Sequence, residues 1–199
     1  MKFKILRHFH LVNKHRFLVF IHCIRLGIPF KGIKHDLSKY SPYEFFNSAK
    51  YYKGSSTPIN EQRRHEGVYS TIAIKHTRRN KHHYEYWVDI FLNNVVLKMM
   101  PYKYALEYVA DIIAASKAYN HKTFTRNLPY DYFSSHSYYS PMHKGTREFV
   151  LSLLKEYSTS GFKNLKKKRT KNLFSEIKNK YPEVEIHPID LSTNTQINI

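Results

Sequence analysis

The chain has 199 residues and carries 33 Lys and Arg against 15 Asp and Glu, a formal net charge of +18 with histidine neutral. Six glycines and eight prolines leave few turns for a many-stranded β fold, and the single cysteine, Cys23, excludes an intrachain disulfide. A balance this basic points to polyanionic partners or substrates, or to good solubility alone, and is silent on fold.

Residues from about Phe3 to Leu26 read as an amphipathic helix, since Leu11, Val12, His15, Leu18, Val19, His22 and Leu26 recur at three- and four-residue steps. His15 sits mid-stripe and faces the core, where a lone histidine is as well read as a buried ring bonded to a carbonyl. The apolar run Phe17 to Phe30 carries His22 and Arg25 and falls short of the roughly 20 apolar residues of a spanning helix. No membrane partner is expected, and no small-residue cleavage site follows the basic start, so the expected location is the cytoplasm. Gly27 can stop the helix, and Pro29 can open a short one carrying His35 and Asp36 near its end.

Ser41-Pro42 supply an N-cap and first turn for a helix to Tyr52, and Lys53 to Pro58 is a loop. A further helix is expected from about Ile59 to His76, either continuing through His83 and Trp87 or restarting at Asn80. Phe91 to Met100 ends that segment. Pro101 begins a strong helix to about Tyr119, with Leu106, Val109 and Ile113 on one face and Glu107, Asp111, Ala114, Ala115 and Ala118 on the adjoining one. Residues 120–141 read as a Tyr- and Ser-rich loop, and Lys144 to Tyr157 as a helix with Phe149, Val150, Leu153 and Leu154 inward. After Gly161 the composition shifts: Lys163 to Lys180 holds Lys166-Lys167-Lys168-Arg169 and one acid, Glu176. The expected division is an all-α core over 1–160 and a separable basic helical extension and tail over 161–199, disordered near Ser192-Thr193-Asn194.

Within Ile33 to Tyr40, the adjacent His35-Asp36 pair is followed three residues later by Lys39. An imidazole beside a carboxylate offers a metal one borderline nitrogen and one hard oxygen able to bridge. Lys39 can set an ammonium beside an anion held there. His76, the run Asn80-Lys81-His82-His83-Tyr84-Glu85-Tyr86-Trp87 and Asp111 add further ligand-type side chains from successive expected helices.

The order His15, His35-Asp36, His76, His82-His83, Asp111 resembles the HD-domain superfamily of helical metal-dependent phosphohydrolases. His35-Asp36-Leu37-Ser38-Lys39 is similar to the His-Asp-x-Gly-Lys of its cyclic-dinucleotide phosphodiesterases, with Ser38 in place of Gly. His82-His83 is similar to their His-His-Glu, although Tyr84 intervenes before Glu85, and their Gly-Tyr-Pro is missing. A tighter resemblance, over about residues 10–160, is to a small uncharacterised bacterial and phage family. It shares His35-Asp36-Leu37-Ser38-Lys39, Asn80 to Trp87 and Met100-Pro101-Tyr102-Lys103-Tyr104, and it brings no established reaction.

These resemblances imply an HD-domain-like helical bundle holding one or two divalent ions (Mn, Fe, Co, Ni, Zn or Mg). One ion would be held by His15, His35, Asp36 and Asp111, and a second would share Asp36 and take His76 with His82, His83 or both. The implied activity is hydrolysis of a phosphate ester on a phosphorylated small molecule. Lys39 would neutralise a phosphate oxygen, Arg78 or Arg79 would bind a distal phosphate, and Glu85, or another acid behind the ligands, would orient a histidine ring. Two rivals stand beside it: an HD-type di-iron oxygenase, and a nucleic-acid-binding protein using the basic C-terminal segment around a structural metal.

Overall fold

The computed structural model describes residues 2–120 and 122–189. In chain order these form α1 (Lys2–Arg25), α2 (Pro29–Lys34), α3 (Pro42–Tyr51), α4 (Pro58–Glu66), α5 (Thr71–Arg79), β1 (Val88–Phe91), β2 (Asn94–Lys98), α6 (Tyr102–Tyr119), α7 (Leu128–Ser137), α8 (Lys144–Ser160), α9 (Lys167–Lys180) and β3 (Val184–Pro188). The expected single helix from Ile59 divides into α4 and α5. Gly67, at φ +70°, leads out of α4, and the Ser70 side chain accepts the Ala73 N–H to restart the helix. The stretch expected as loop over 120–141 contains α7.

The core lies between α1, α6 and α8. Val19, Cys23 and Leu26 from α1 and its end meet Leu106, Val109 and Ile113 of α6 and Phe149, Val150, Leu153 and Leu154 of α8, all fully buried. Each such aliphatic side chain contributes about 1.5–3 kcal/mol by leaving water. On the other side of α1, Gly32 of α2 packs so closely that a Cβ there would stand 2.8 Å from the Phe20 Cα and 2.9 Å from the Cys23 Cβ. This close approach sets the segment bearing His35 and Asp36 against α1.

The fold is mostly helical but not all-α. Residues 88–98 form an antiparallel hairpin, with Val88 opposite Leu97 and Ile90 opposite Val95, and β3 adds to its far side with Ile186 opposite Val96. β-branched residues at alternating positions favour this pairing, and Leu92 and Asn93 both take the positive φ that a tight two-residue hairpin turn requires. The helix does not run on from His76 through Trp87, since α5 ends at Arg79 and Tyr84–Trp87 form a 3-10 turn.

The C-terminal segment packs into the same body. Leu165 is fully buried and Ile177 nearly so, Leu173 and Phe174 pack against the core, and Tyr102 Oη is 2.8 Å from Thr170 Oγ1. The boundary expected near residue 160 thus falls between elements that share one core, and β3 comes from what was expected to be tail. The disorder expected near Ser192-Thr193-Asn194 lies outside the described residues. No helix among the described residues is long and apolar enough to cross a membrane.

Candidate metal centre

Two local features aim His35 and Asp36 at one point. α2 ends at Lys34, and Asp36 takes a left-handed conformation, φ +53° and ψ +28°, before a 3-10 turn over Leu37–Tyr40. Aspartate tolerates this region better than most residues, and such conformations cluster at functional sites. Without that turn of the chain, adjacent side chains would diverge. Arg16 of α1 clamps the segment: Nε donates to the His35 carbonyl at 2.8 Å, and its other nitrogens reach the Ile33 carbonyl and the Tyr40 hydroxyl, each at 3.1 Å. Arg16 follows His15, so the same turn of α1 places His15 beside the pair.

Asp36 stands at the centre, buried to 1% exposure. Its Oδ2 is 3.2 Å from His35 Nε2 and 3.8 Å from His15 Nε2. Its Oδ1 is 3.3 Å from His76 Nε2 and 3.4 Å from His82 Nε2. Asp111, one turn after Glu107 on α6, brings Oδ1 to 3.1 Å from His15 Nε2 and 3.7 Å from His35 Nε2. Fully buried Ala110 and Ala114 flank it and let α1 approach α6.

Ligand-type atoms lie within 4.8 Å of one another in three overlapping groups: His15, His35 and Asp111; Asp36, His76, His82 and His83; and His35, His82 and Glu107. Atoms about 2.1 Å from one ion stand about 3.0 Å apart in an octahedral set and about 3.4 Å in a tetrahedral one. The observed spacings, 3.1 to 3.8 Å, run from just above the first value to beyond the second. Moreover, the buried Nε2 atoms of His15, His35, His82 and His83 and Oδ1 of Asp36 have no aligned hydrogen-bond partner. Buried polar atoms left so would be costly, and a metal satisfies them. These groups could hold a metal ion, and both His82 and His83 belong to the set.

Behind the rings stand two carboxylates to which the sequence alone assigned no role. His35 Nδ1 donates to Glu107 Oε1 at 3.1 Å, and the same oxygen lies 3.4 Å from His82 Nδ1. His76 Nδ1 donates to Glu44 Oε1 at 2.5 Å. Such bonds fix ring orientation and leave Nε2 facing the centre. Glu85, expected in this role, bonds no histidine here; its Oε2 is buried without a partner. Glu107 was visible as an acid one turn from Asp111 on the same helical face. Glu44 was hidden, because Ser41-Pro42-Tyr43-Glu44 reads as a capping box. The Ser41 hydroxyl does accept the Glu44 N–H, at 3.4 Å, but the Glu44 carboxylate turns inward to His76.

The cluster is strongly polarised. Burial alone would raise the Asp36 and Asp111 carboxyls, yet facing imidazoles, and Lys39 for Asp36, hold both below the usual carboxylate range. Glu107 is likewise brought down to about 2 against burial by its bonds to His35 and His82. Burial keeps His15, His82 and His83 neutral, the form that ligates a metal. His35 is the exception: burial lowers it, but Asp36, Glu107 and Asp111 together raise it. Lys39 Nζ is 2.5 Å from Asp36 Oδ2 and keeps 29% of its side chain exposed, so it marks the open side of the centre. Arg78 and Arg79 lie on the exposed last turn of α5, and among the described residues neither bonds to the cluster.

A family model described as a family of unknown function, DUF5662, matches residues 4–156. The chain belongs to this family. The DUF5662 match takes in every residue of the cluster, from His15 to Asp111, and stops within α8, before α9 and β3. No curated protein and no solved structure matches the chain.

Proposed function

We propose that the protein is a metal-dependent hydrolase of phosphate esters, of HD-domain-like type. The observation that carries this reading is the division of Asp36 between two histidine groups, with the Lys39 ammonium beside it on the open side. His15, His35, Asp36 and Asp111 would hold one divalent ion, and Asp36, His76, His82 and His83 a second. Ions so placed lower the pKa of a bound water and polarise a phosphoryl oxygen. Glu107 and Glu44 keep the rings of His35, His82 and His76 aimed inward. Lys39, a compact charge on a long stem, suits a non-bridging phosphate oxygen on the substrate. The donor order along the chain and its convergence support the HD likeness.

Purified protein should therefore contain divalent metal by elemental analysis and hydrolyse members of a phosphoester panel under manganese, cobalt or nickel. A tightly held iron pair with visible absorption after anaerobic purification, and no phosphoester turnover, would replace this reading with the oxygenase one. The nucleic-acid reading of α9 draws on its lysine run, although Arg169 and Lys180 are occupied by Glu156 and Glu148. A salt-sensitive gel shift lost on neutralising Lys166 to Arg169 would support it.

A further inference from the structure

From His15 toward the N-terminal end of α1 lies a second charged region, with Lys4 and Arg7. Burial holds the His8 imidazole down to about 4, and the Lys39 charge pushes the same way. Burial lifts the Tyr119 phenol to about 12, with Lys39 and Tyr52 both near enough to bear on it. The Tyr52 ring stands 5.6 Å from the His8 ring. Tyr52 also lines an open cleft of about 540 Å³ with Phe3, Lys4, Arg7, Lys53 and Ser55. Tyr52 thus stands between this cleft and His8, which lies seven residues toward the N-terminus from His15 on α1.

The cleft's charge is only partly met. Glu61 takes Lys53 at 2.6 Å. Lys4 donates to the Lys50 carbonyl at 3.3 Å, and neither Lys4 nor Arg7 has an acidic partner within 4.0 Å among the described residues. Phe3 is 78% exposed and Tyr52 partly so, which leaves two ring faces beside two uncompensated cations. Aromatic platforms interleaved with cations are what single-stranded nucleic acid uses, bases stacking while phosphates are neutralised.

We propose that this cleft binds a single-stranded oligonucleotide, one of whose phosphodiesters then lies at the His/Asp cluster. The inference rests on the hydrolase reading and names its substrate class. Spacing favours a strand over a mononucleotide. Arg7 and His15 are eight residues apart on one helix, and Lys4 and His15 eleven, or about 12 and 16 Å at the helical rise. Adjacent phosphates of a nucleoside polyphosphate share a bridging oxygen and fall short of that span. An oligonucleotide covers it with successive phosphates, Lys39 meeting one and Lys4 with Arg7 another.

The test uses fluorescence anisotropy of the full chain with a short labelled oligothymidylate under chelator, so that nothing is cleaved. Lys4→Glu/Arg7→Glu should weaken binding by about tenfold or more and lower the salt slope by about 1.4, two phosphate contacts at about 0.7 each. Arg7→Gln alone should give about half that slope change, and Tyr52→Leu should weaken binding with the slope unchanged. Circular-dichroism melts establish that each variant is folded. Failure of the wild-type chain to bind the strand, or unchanged affinity and slope in the folded double variant, overturns the proposal. Wild-type turnover of bis(4-nitrophenyl) phosphate, too small to reach the cleft, is measured separately. Turnover without cleft-dependent binding removes the cleft alone. Cleft-dependent binding without turnover overturns the hydrolase reading and leaves the cleft as a binding site.

Discussion

Replacing Asp36 by alanine removes the one side chain that belongs to both halves of the centre. Its oxygens approach His35 at 3.2 Å, His76 at 3.3 Å and His82 at 3.4 Å. Without it, one half retains His15, His35 and Asp111, the other retains only imidazoles, and the carboxylate charge of the donor set is halved. An acid that merely orients a ligating histidine is worth about 10–100-fold in metal affinity. A shared ligand should exceed that, so each half should lose at least about 100-fold, or about 2.7 kcal/mol. Elemental analysis after exhaustive dialysis, backed by titration calorimetry, should find Asp36→Ala without metal. Because Asp36 sits at φ +53°, alanine also adds backbone strain, and Asp36→Asn separates the effects by tolerating that conformation while losing the charge. His8→Ala and His22→Ala are controls: His8 packs on Phe45 and Tyr52, and His22 Nδ1 donates to the Ala110 carbonyl at 3.3 Å. A full metal complement in Asp36→Ala would refute the site.

Lys39→Met should keep metal and fold yet lower phosphoester turnover by about 10²-fold, and unchanged turnover in fully metallated protein would remove Lys39 from the mechanism. Glu107→Gln should weaken metal binding in both halves by about 10–100-fold, whereas Glu44→Gln should affect the His76 half alone; two-site calorimetric titrations separate them. Leu165→Ala should cost about 2–5 kcal/mol in denaturant unfolding, and removing residues 162–199 should abolish cooperative unfolding; a truncated chain as stable as the whole would show that the segment is outside the core. His8 and His22 titrate near 6.5 when unfolded but near 4 when folded, so the unfolded chain binds more protons as pH falls. Stability should therefore decline from about pH 6.5 toward 4, and His22→Leu should flatten that decline if the protein stays folded.

The long elements were legible because their signals were local. The apolar stripe of α1, the Ser41-Pro42 start of α3 and the apolar face of α6 each declare themselves within a few turns. The candidate cluster was legible for a different reason: the resemblance to HD-domain proteins implied that His15, His35, Asp36, His76, His82, His83 and Asp111 share one centre, and these side chains do converge. What was hidden depends on tertiary partners. The hairpin at 88–98 draws support from β3, ninety residues away in sequence, and no local pattern announces that pairing. The lysine run around α9 masked Leu165 and Ile177, whose burial depends on α1, α6 and α8 being in place. Glu44 and Glu107 took their roles from histidines 32 and 72 residues distant.

The placement of Glu107 links the two halves of the cluster. Burying carboxylates is expensive, several kcal/mol for each charge that is not met. Here Lys39 meets Asp36 at 2.5 Å, Lys31 approaches Glu107 at 3.6 Å, and His35 draws the remaining negative charge onto itself. In front of the rings Asp36 divides its two oxygens between the halves. Behind them a single oxygen of Glu107 lies at 3.1 Å from a ring of one half and 3.4 Å from a ring of the other. A shift of His35 therefore pulls on the acceptor that orients His82, and a shift of either ring disturbs Asp36. Charge enters the same linkage, because His35 must lose its proton before its Nε2 can ligate, and that changes the balance Glu107 and Asp36 present to the second half. The left-handed turn at Asp36 is what allows one short segment to supply a ring to one half and a carboxylate to both.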